Sequence, residues 1–234
     1  MRIAITDLTR MAQGYVRAAG VDLHSGARVR PVANGRLSSG LLCTNRGPLD
    51  VGNIVDVGSC QPCGAPPETE DCRFHERRLR LVARMSEAAF FDLLSRSAVD
   101  SVDGALVRFG NSLAMDRGEG THSLFILRAA RTPEIRIHDV GRGARLRFTW
   151  LGGVHLSVTD VRLYESDLVT PSQTKLDGLN EVLRSSPECW LSLGLTRPWR
   201  QPGDDRERHY LQLNNVHARG MARLAIVSGA LKSA

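Results

Sequence analysis

The sequence predicts a mainly β protein with two short helices, arranged as two five-stranded barrels packed into one compact body. Three observations lead there. Short runs of β-branched and apolar residues recur along the chain, punctuated by Gly, Asn and Pro. Only two segments carry helical periodicity, and each lies late in its half of the chain. Finally, Gly26-Ala27-Arg28-Val29-Arg30 is echoed by Gly143-Ala144-Arg145-Leu146-Arg147, an offset of 117 in a chain of 234 residues. In both copies the glycine would close a hairpin turn and the arginines would share one face of the outgoing strand. An arginine-rich chain also produces such an echo by chance, so duplication and coincidence both stand. Duplication divides the chain into 1–117, a first barrel with long loops at 33–50 and 59–76, and 118–234, a second barrel.

Strands are expected at 2–6, 14–22, 27–32, 52–58, 78–84, 104–109, 123–129, 134–138, 144–150, 153–158, 160–165, 188–196 and 208–216. The first helix spans about 86–97, where Ser86 can cap and Ala89, Phe90, Leu93 and Leu94 recur at helical spacing. A second spans about 173–185, with Leu176, Leu179, Val182 and Leu183 on one face and Pro171 and Pro187 outside its ends. Segments 33–50 and 59–76 lack periodicity and are rich in Gly, Pro, Ser and Asn, which reads as long loops of the kind that often carry function. A third loop, 198–207, reads as a hairpin tip. Leu8-Thr9-Arg10 returns as Leu195-Thr196-Arg197 at a different offset. That is either coincidence or two strand ends presenting Thr and Arg to one groove.

Apolar residues make up 42% and charged residues 24%, enough to build a core and too little polarity for a disordered chain. No apolar run approaches the ~18 residues of a membrane span, and the opening Met1–Asp7 meets charge too early for a secretory signal. The expectation is a soluble cytoplasmic protein without a membrane partner. Five cysteines, odd in number and unevenly spread, are expected to be reduced thiols. The formal charge is +6, and among 31 basic residues only Lys175 and Lys232 are lysines. Guanidinium offers a planar fork to phosphate, so the excess fits a nucleic-acid partner. A GC-rich genome gives the same arginine bias, and the 25 carboxylates can absorb much of the charge.

Several chemistries are excluded or weakened. The chain has no Gly-x4-Gly-Lys-Ser/Thr run and no Gly-x-Gly-x-x-Gly between strand and helix, which argues against nucleotide hydrolysis. It also lacks Gly-x-Ser-x-Gly, and Cys189 beside Trp190 reads as a buried thiol. Asp7, Asp56, Glu70, Asp71 and Asp160 would make a metal-dependent nuclease only if folding gathered three of them; otherwise they pair with arginine. A non-enzyme is therefore expected. Cys60-Gln61-Pro62-Cys63 followed by Cys72-Arg73-Phe74-His75 has the ligand types of a zinc site, with free cysteines as the alternative. Of the other histidines, His24 suits a turn, and His155 and His217 suit strand faces.

Binding chemistry fits better. Arg10, Arg17, Arg28, Arg30 and Arg36 crowd the first hairpin and its following loop, while Arg197, Trp199 and Arg200 lie on the late loop. A solvent-facing Trp flanked by arginines can stack a base while the guanidinium groups hold phosphates. The residues expected to contact nucleic acid are Arg10, Arg28, Arg30, Arg36, Arg197, Trp199 and Arg200. With only 3 Trp, 3 Tyr and 6 Phe, a stacking platform would be sparse, so Trp199 and Tyr15 can equally be packing residues. Trp150 and Trp190 fall in strand patterns and belong in the core.

Several phrases together resemble the dual OB-containing domain of prokaryotic genomes. They are Ile5-Thr6-Asp7-Leu8-Thr9-Arg10, Val29-Arg30-Pro31, Gly35-Arg36-Leu37-Ser38, Pro66-Pro67-Glu68-Thr69-Glu70-Asp71, Leu193-Gly194-Leu195-Thr196-Arg197-Pro198 and Tyr210-Leu211-Gln212-Leu213-Asn214-Asn215-Val216. The resemblance implies two OB-like barrels in tandem, and an association with bacterial and archaeal conflict and antiviral defence systems. Cys72, directly after Glu70-Asp71, departs from the family pattern and weakens the zinc reading. The leading expectation is a nucleic-acid-binding protein, for RNA or DNA, with a basic groove across both barrels. Two alternatives remain: an accessory subunit that engages a partner protein encoded nearby through 33–50 and 198–207, and a nucleotide or small-ligand sensor using a cleft between barrels.

Overall fold

In the computed structural model, residues 1–33, 36–102, 106–129, 134–139, 144–150 and 153–221 are described. The first half holds β1 (Arg2–Arg10), β2 (Tyr15–Asp22), β3 (Arg28–Val32), β4 (Leu37–Ser38), β5 (Asn53–Asp56), β6 (Gln61–Pro62), β7 (Asp71–Arg73) and β8 (Arg80–Arg84), followed by α1 (Glu87–Arg96). The second holds β9 (Val107–Phe109), β10 (Ser112–Asp116), β11 (Leu124–Ala129), β12 (Ile135–Asp139), β13 (Ala144–Trp150), β14 (Val154–Val158), α2 (Gln173–Ser185), β15 (Cys189–Leu195) and β16 (Arg208–Ala218). The protein is mainly β, and among the described residues it has two packed, barrel-like sheets and two α-helices, as the periodicity predicts.

The first sheet runs β6-β7-β3-β2-β1-β5-β8, with β4 on the free stretch of β2. Its neighbours are antiparallel except β3 and β7, which are parallel with Arg30 opposite Asp71. β1 lies at the centre of the molecule and is buried along nearly its whole length, polar Thr6, Asp7 and Thr9 included. A strand covered on both faces does not alternate in polarity, which is why it reads as a nearly continuous run. Gly20 on β2 is required here: a Cβ there would stand 2.1 Å from the Ala4 carbonyl oxygen. The core under this sheet gathers Ile3, Ile5, Val16, Val29, Val55 and Phe74, and is completed by Val161 and Leu168 from the second half.

The second sheet runs β11-β15-β16-β14-β13-β12, and β10 joins β16 to β9. β14 and β16 are parallel. α2 lays Leu176, Leu179 and Leu183 on this sheet's core, as its spacing predicts. α1 is capped by Ser86, whose side chain accepts from the Ala89 N–H at 3.3 Å. It wedges between the halves: Leu93 packs with Ala4 and Val21, while Phe90, Phe91 and Leu94 pack with Ile126 and the fully buried Trp190.

Some expectations are corrected. The run 160–165 is not a strand: Asp160 accepts from the Arg162 N–H at 3.0 Å and turns Val161–Leu163 into a 3-10 helix. β10 was not anticipated, nor were the short β4, β6 and β7, which lie inside the segments read as loops. The two sheets part between β8 and β9, so β9 and β10 pair with the second sheet although they precede residue 117. Residues 104–105 of one expected strand and Gly143 of the echo lie outside the described residues, as does the Trp150 side chain. The echoed arginine phrases do occupy like places, each on the outgoing strand of a hairpin: β2–β3, with Gly26 at φ 74°, and β12–β13.

Cys60 and Cys72 are joined as a disulfide, which corrects the expectation of five reduced thiols. Cys43, Cys63 and Cys189 are free, and Cys189 is buried as expected. With two of its four ligands bonded to each other, and Cys63 and His75 both exposed, the proposed zinc set is not assembled. Among the described residues no group of three or more His, Cys, Asp or Glu is placed to hold a metal. Likewise, no described helix is long and apolar enough to cross a membrane.

Candidate functional site

The expected loop 59–76 carries the site's acidic floor. β7 pairs with β3 so that Arg30 lies opposite Asp71, and the Arg30 N–H donates to the Glu70 carbonyl at 2.8 Å. Arg30 Nε donates to Asp71 Oδ1, and Arg197 Nη2, arriving just beyond β15 of the other half, donates to Asp71 Oδ2. Arg197 Nη1 lies 3.0 Å from Glu68 Oε1. Glu70 faces the second half instead: it accepts from the Ser123 and Leu124 N–H groups at 2.8 and 3.0 Å and from the Ser123 hydroxyl at 2.9 Å. Thr69 Oγ1 adds a bond to the Thr121 carbonyl. The Glu68–Asp71 stretch is thus the polar joint between the halves.

Above Asp71 opens a cleft of about 300 Å³, and four of its ten lining residues are Arg17, Arg30, Arg36 and Arg197. Each comes from a different segment. Arg17 projects from β2 on the outward face it shares with Tyr15, where the strand still alternates. Arg30 comes from β3, Arg36 from just before β4, and Arg197 from the second half. Met11, Val16, Pro31, Val32, Ala33 and Leu37 give the walls an apolar character. Arg36 is steadied by donating to Gln13 Oε1 at 2.9 Å and by lying 5.3 Å over the Tyr15 ring.

The electrostatics are lopsided. Burial, followed by repulsion from Arg30 and Arg197, lowers the Arg17 pKa to about 10, against the opposing pull of Asp71 and Glu68. The Arg17 side chain has no hydrogen-bond or salt-bridge partner among the described residues, while its backbone pairs with Thr9 of β1. Arg197 is shifted upward: burial opposes its charge, but Asp71 and Glu68 outweigh it. Arg30 is only 4% exposed, and its Nη2 is buried without a partner among the described residues. Beneath the cleft a water-sized cavity of about 10 Å³ touches Asp7, Arg17 and Arg30.

Three of the seven expected contact residues, Arg30, Arg36 and Arg197, therefore meet in one cleft, and four do not line it. Arg28 is consumed by Thr6 Oγ1 at 2.6 Å and Asp7 Oδ2 at 2.7 Å. Arg10 sits 4.5 Å over the Tyr164 ring and donates to the Leu168 carbonyl, bracing the joint between halves. Trp199 is 45% exposed, with its ring 5.2 Å from Tyr210 and its backbone bonded to Arg208, and Arg200 is exposed. Arg17, part of the crowded first hairpin, is the cleft residue the expected contact set left out; its outward alternation with Tyr15 was the available signal. The carboxylates weighed for a nuclease do not converge. Asp7 pairs with Arg28, Asp71 with Arg30 and Arg197, Asp160 with Arg162 and Asp56 with the N-terminus, while Glu70 holds backbone N–H groups.

Two packed β-barrel-like units with a polar joint and a ligand-sized basic cleft define a tandem-barrel module of the OB kind. The family model of the dual OB-containing domain matches residues 1–216, and the chain belongs to that family. No curated protein matches the chain.

Proposed function

We propose that the chain is a non-enzymatic binding module that engages nucleic acid through the arginine cleft, RNA or DNA, and serves a prokaryotic conflict or defence system as its nucleic-acid-contacting part. The observation that carries this reading is the meeting of Arg17, Arg30, Arg36 and Arg197 in one cleft whose only nearby described carboxylate partners are Asp71 and Glu68. A surface that merely neutralised its arginines would pair each with a carboxylate, as Arg28 is paired with Asp7. Here Arg17 and Arg36 keep their charge for something else. OB-type barrels are in general binding scaffolds, which accords with a role in binding and not in turnover.

The test is binding of a ~20-nucleotide single strand across a salt series, where each phosphate contact adds about −0.7 to the slope of log K against log salt. Arg17→Gln with Arg36→Ala should weaken binding at least tenfold and flatten the slope by about 1.4. Unchanged affinity and slope in that double variant would remove the site.

A second reading, an accessory subunit for a partner protein, draws on β8. This strand ends the first sheet, is exposed at all five positions, and shows Leu81 and Val82 at 54% and 44% exposure. An open apolar edge invites strand addition. It calls for a partner retained in high salt and lost on Val82→Lys.

A further inference from the structure

We propose that the arginine cleft takes the terminal phosphate monoester of a nucleotide or nucleic-acid strand in preference to an internal phosphodiester. This rests on the reading above that the cleft holds nucleic-acid phosphate, and names which phosphate.

Four guanidinium cations, Arg17, Arg30, Arg36 and Arg197, face two carboxylates, Asp71 and Glu68, which leaves two positive charges over. The remaining contacts of Arg36 are neutral, the Gln13 amide and the Tyr15 ring. A phosphate monoester carries about −1.5 to −2 at pH 7. An internal phosphodiester carries a single negative charge and would leave one cation crowded and uncompensated.

Burial sharpens this. Arg30 is 4% exposed, and although its Nε is paired with Asp71, its Nη2 lacks a partner among the described residues. Such a group is stabilised by an anion able to accept several hydrogen bonds at once. A terminal phosphate offers three free oxygens; an internal phosphodiester offers two. Burial first, and then the neighbouring Arg30 and Arg197 cations, lower the Arg17 pKa to about 10, which accords with a cleft short of anions.

Size points the same way. About 300 Å³ is the low end of small-ligand pockets and suits one terminal nucleotide. Pro31, Val32 and Leu37 along the wall supply an apolar surface for its sugar or base.

The experiment is calorimetric titration of the full chain at pH 7.5 with one short single strand in four forms: 5′-phosphorylated, 3′-phosphorylated, hydroxyl at both ends, and circular. A nucleoside 5′-monophosphate and inorganic phosphate are separate arms that tell a strand end from a free nucleotide or the bare ion. One phosphorylated end should bind at least tenfold tighter than the hydroxyl-ended strand, and the circle no tighter than the latter. That advantage should shrink between pH 7.5 and 5 as the monoester loses its second charge near pH 6, and vanish in Arg17→Gln. Equal binding of all four forms, still lost in Arg17→Gln with Arg36→Ala, overturns the preference and leaves the nucleic-acid reading intact. Binding of the monophosphate without any strand does the reverse. Failure of every phosphorylated ligand overturns both.

Discussion

Asp71 of the first half holds Arg197 of the second, 126 residues away in sequence, by accepting from its Nη2. Its other oxygen accepts from Arg30 Nε, so one carboxylate fixes two cleft cations from different halves. The same residue that shapes the cleft therefore couples the barrels.

Asp71→Asn should in consequence cost stability as well as binding. Arg30 and Asp71 side chains are each 5% exposed, and removing one partner of a buried pair typically costs about 3–5 kcal/mol because the other charge is left stranded. Chemical denaturation should show a lower midpoint with an unchanged slope. A loss below about 1 kcal/mol would mean that Arg30 is not held by this carboxylate.

Arg17→Met should act in the opposite direction on stability. The Arg17 pKa is lowered on folding to about 10, first by burial and then by Arg30 and Arg197, so Arg17 stays charged at neutral pH but its charge costs the folded protein stability at every pH below 10. Each unit corresponds to about 1.4 kcal/mol, and removing the cation should return part of that. The expected result is a raised denaturation midpoint together with weakened binding of phosphate-bearing ligands. Such a trade between stability and activity marks a group kept for its ligand.

The outline of the fold was legible because its signals are local. Ser86 and Leu93–Leu94 announce α1, and the leucines of 176–183 announce α2. That Arg30, Arg36 and Arg197 belong together was legible because they crowd a hairpin and a loop, and they line one cleft. Arg28 looked the same in sequence, yet its partner Asp7 lies on β1, beyond β2, and Arg10 finds Tyr164 in the other half. Such pairings are set by register between distant strands, which composition does not encode. The acidic floor was hidden for a like reason: only the parallel pairing of β3 and β7 brings Asp71 beneath Arg30.

The disulfide gives a direct count. Protein denatured without reductant should titrate three thiols, Cys43, Cys63 and Cys189, and five after reduction. Cys60 and Cys72 are 12 residues apart, and closing a loop of that order restricts the unfolded chain by about 3 kcal/mol. Cys72→Ser should lower stability by about 2–3 kcal/mol. Because Cys72 follows Asp71, the variant should also weaken ligand binding. Five titrating thiols in the unreduced protein would refute the bond.

His217 on β16 sets the acid limit of the fold. It is buried beside Phe90, its ring centroid 5.4 Å away, with Nε2 3.2 Å from the Ser192 hydroxyl. Burial, reinforced by Arg162 and Arg28 against the weaker pull of Asp7, pushes its pKa down to about 3 from 6.5. Between these values the unfolded chain binds a proton that the folded protein refuses, so stability is complete above pH 6.5 and falls as pH drops toward 3. The slope approaches 1.4 kcal/mol per pH unit, or about 2–3 kcal/mol between pH 7 and 4.5. Asp7 cannot account for a loss in this range. Although burial works to raise its pKa, Arg28 and Thr6 bring it below 3.8, so its contribution is lost only under more acid conditions. His217→Gln keeps a hydrogen-bonding group without the titration, and its stability should be nearly flat from pH 7 to 4.5. A wild-type protein equally stable at both ends of that range would show that His217 is protonated without penalty and that its burial does not set the acid limit of the fold.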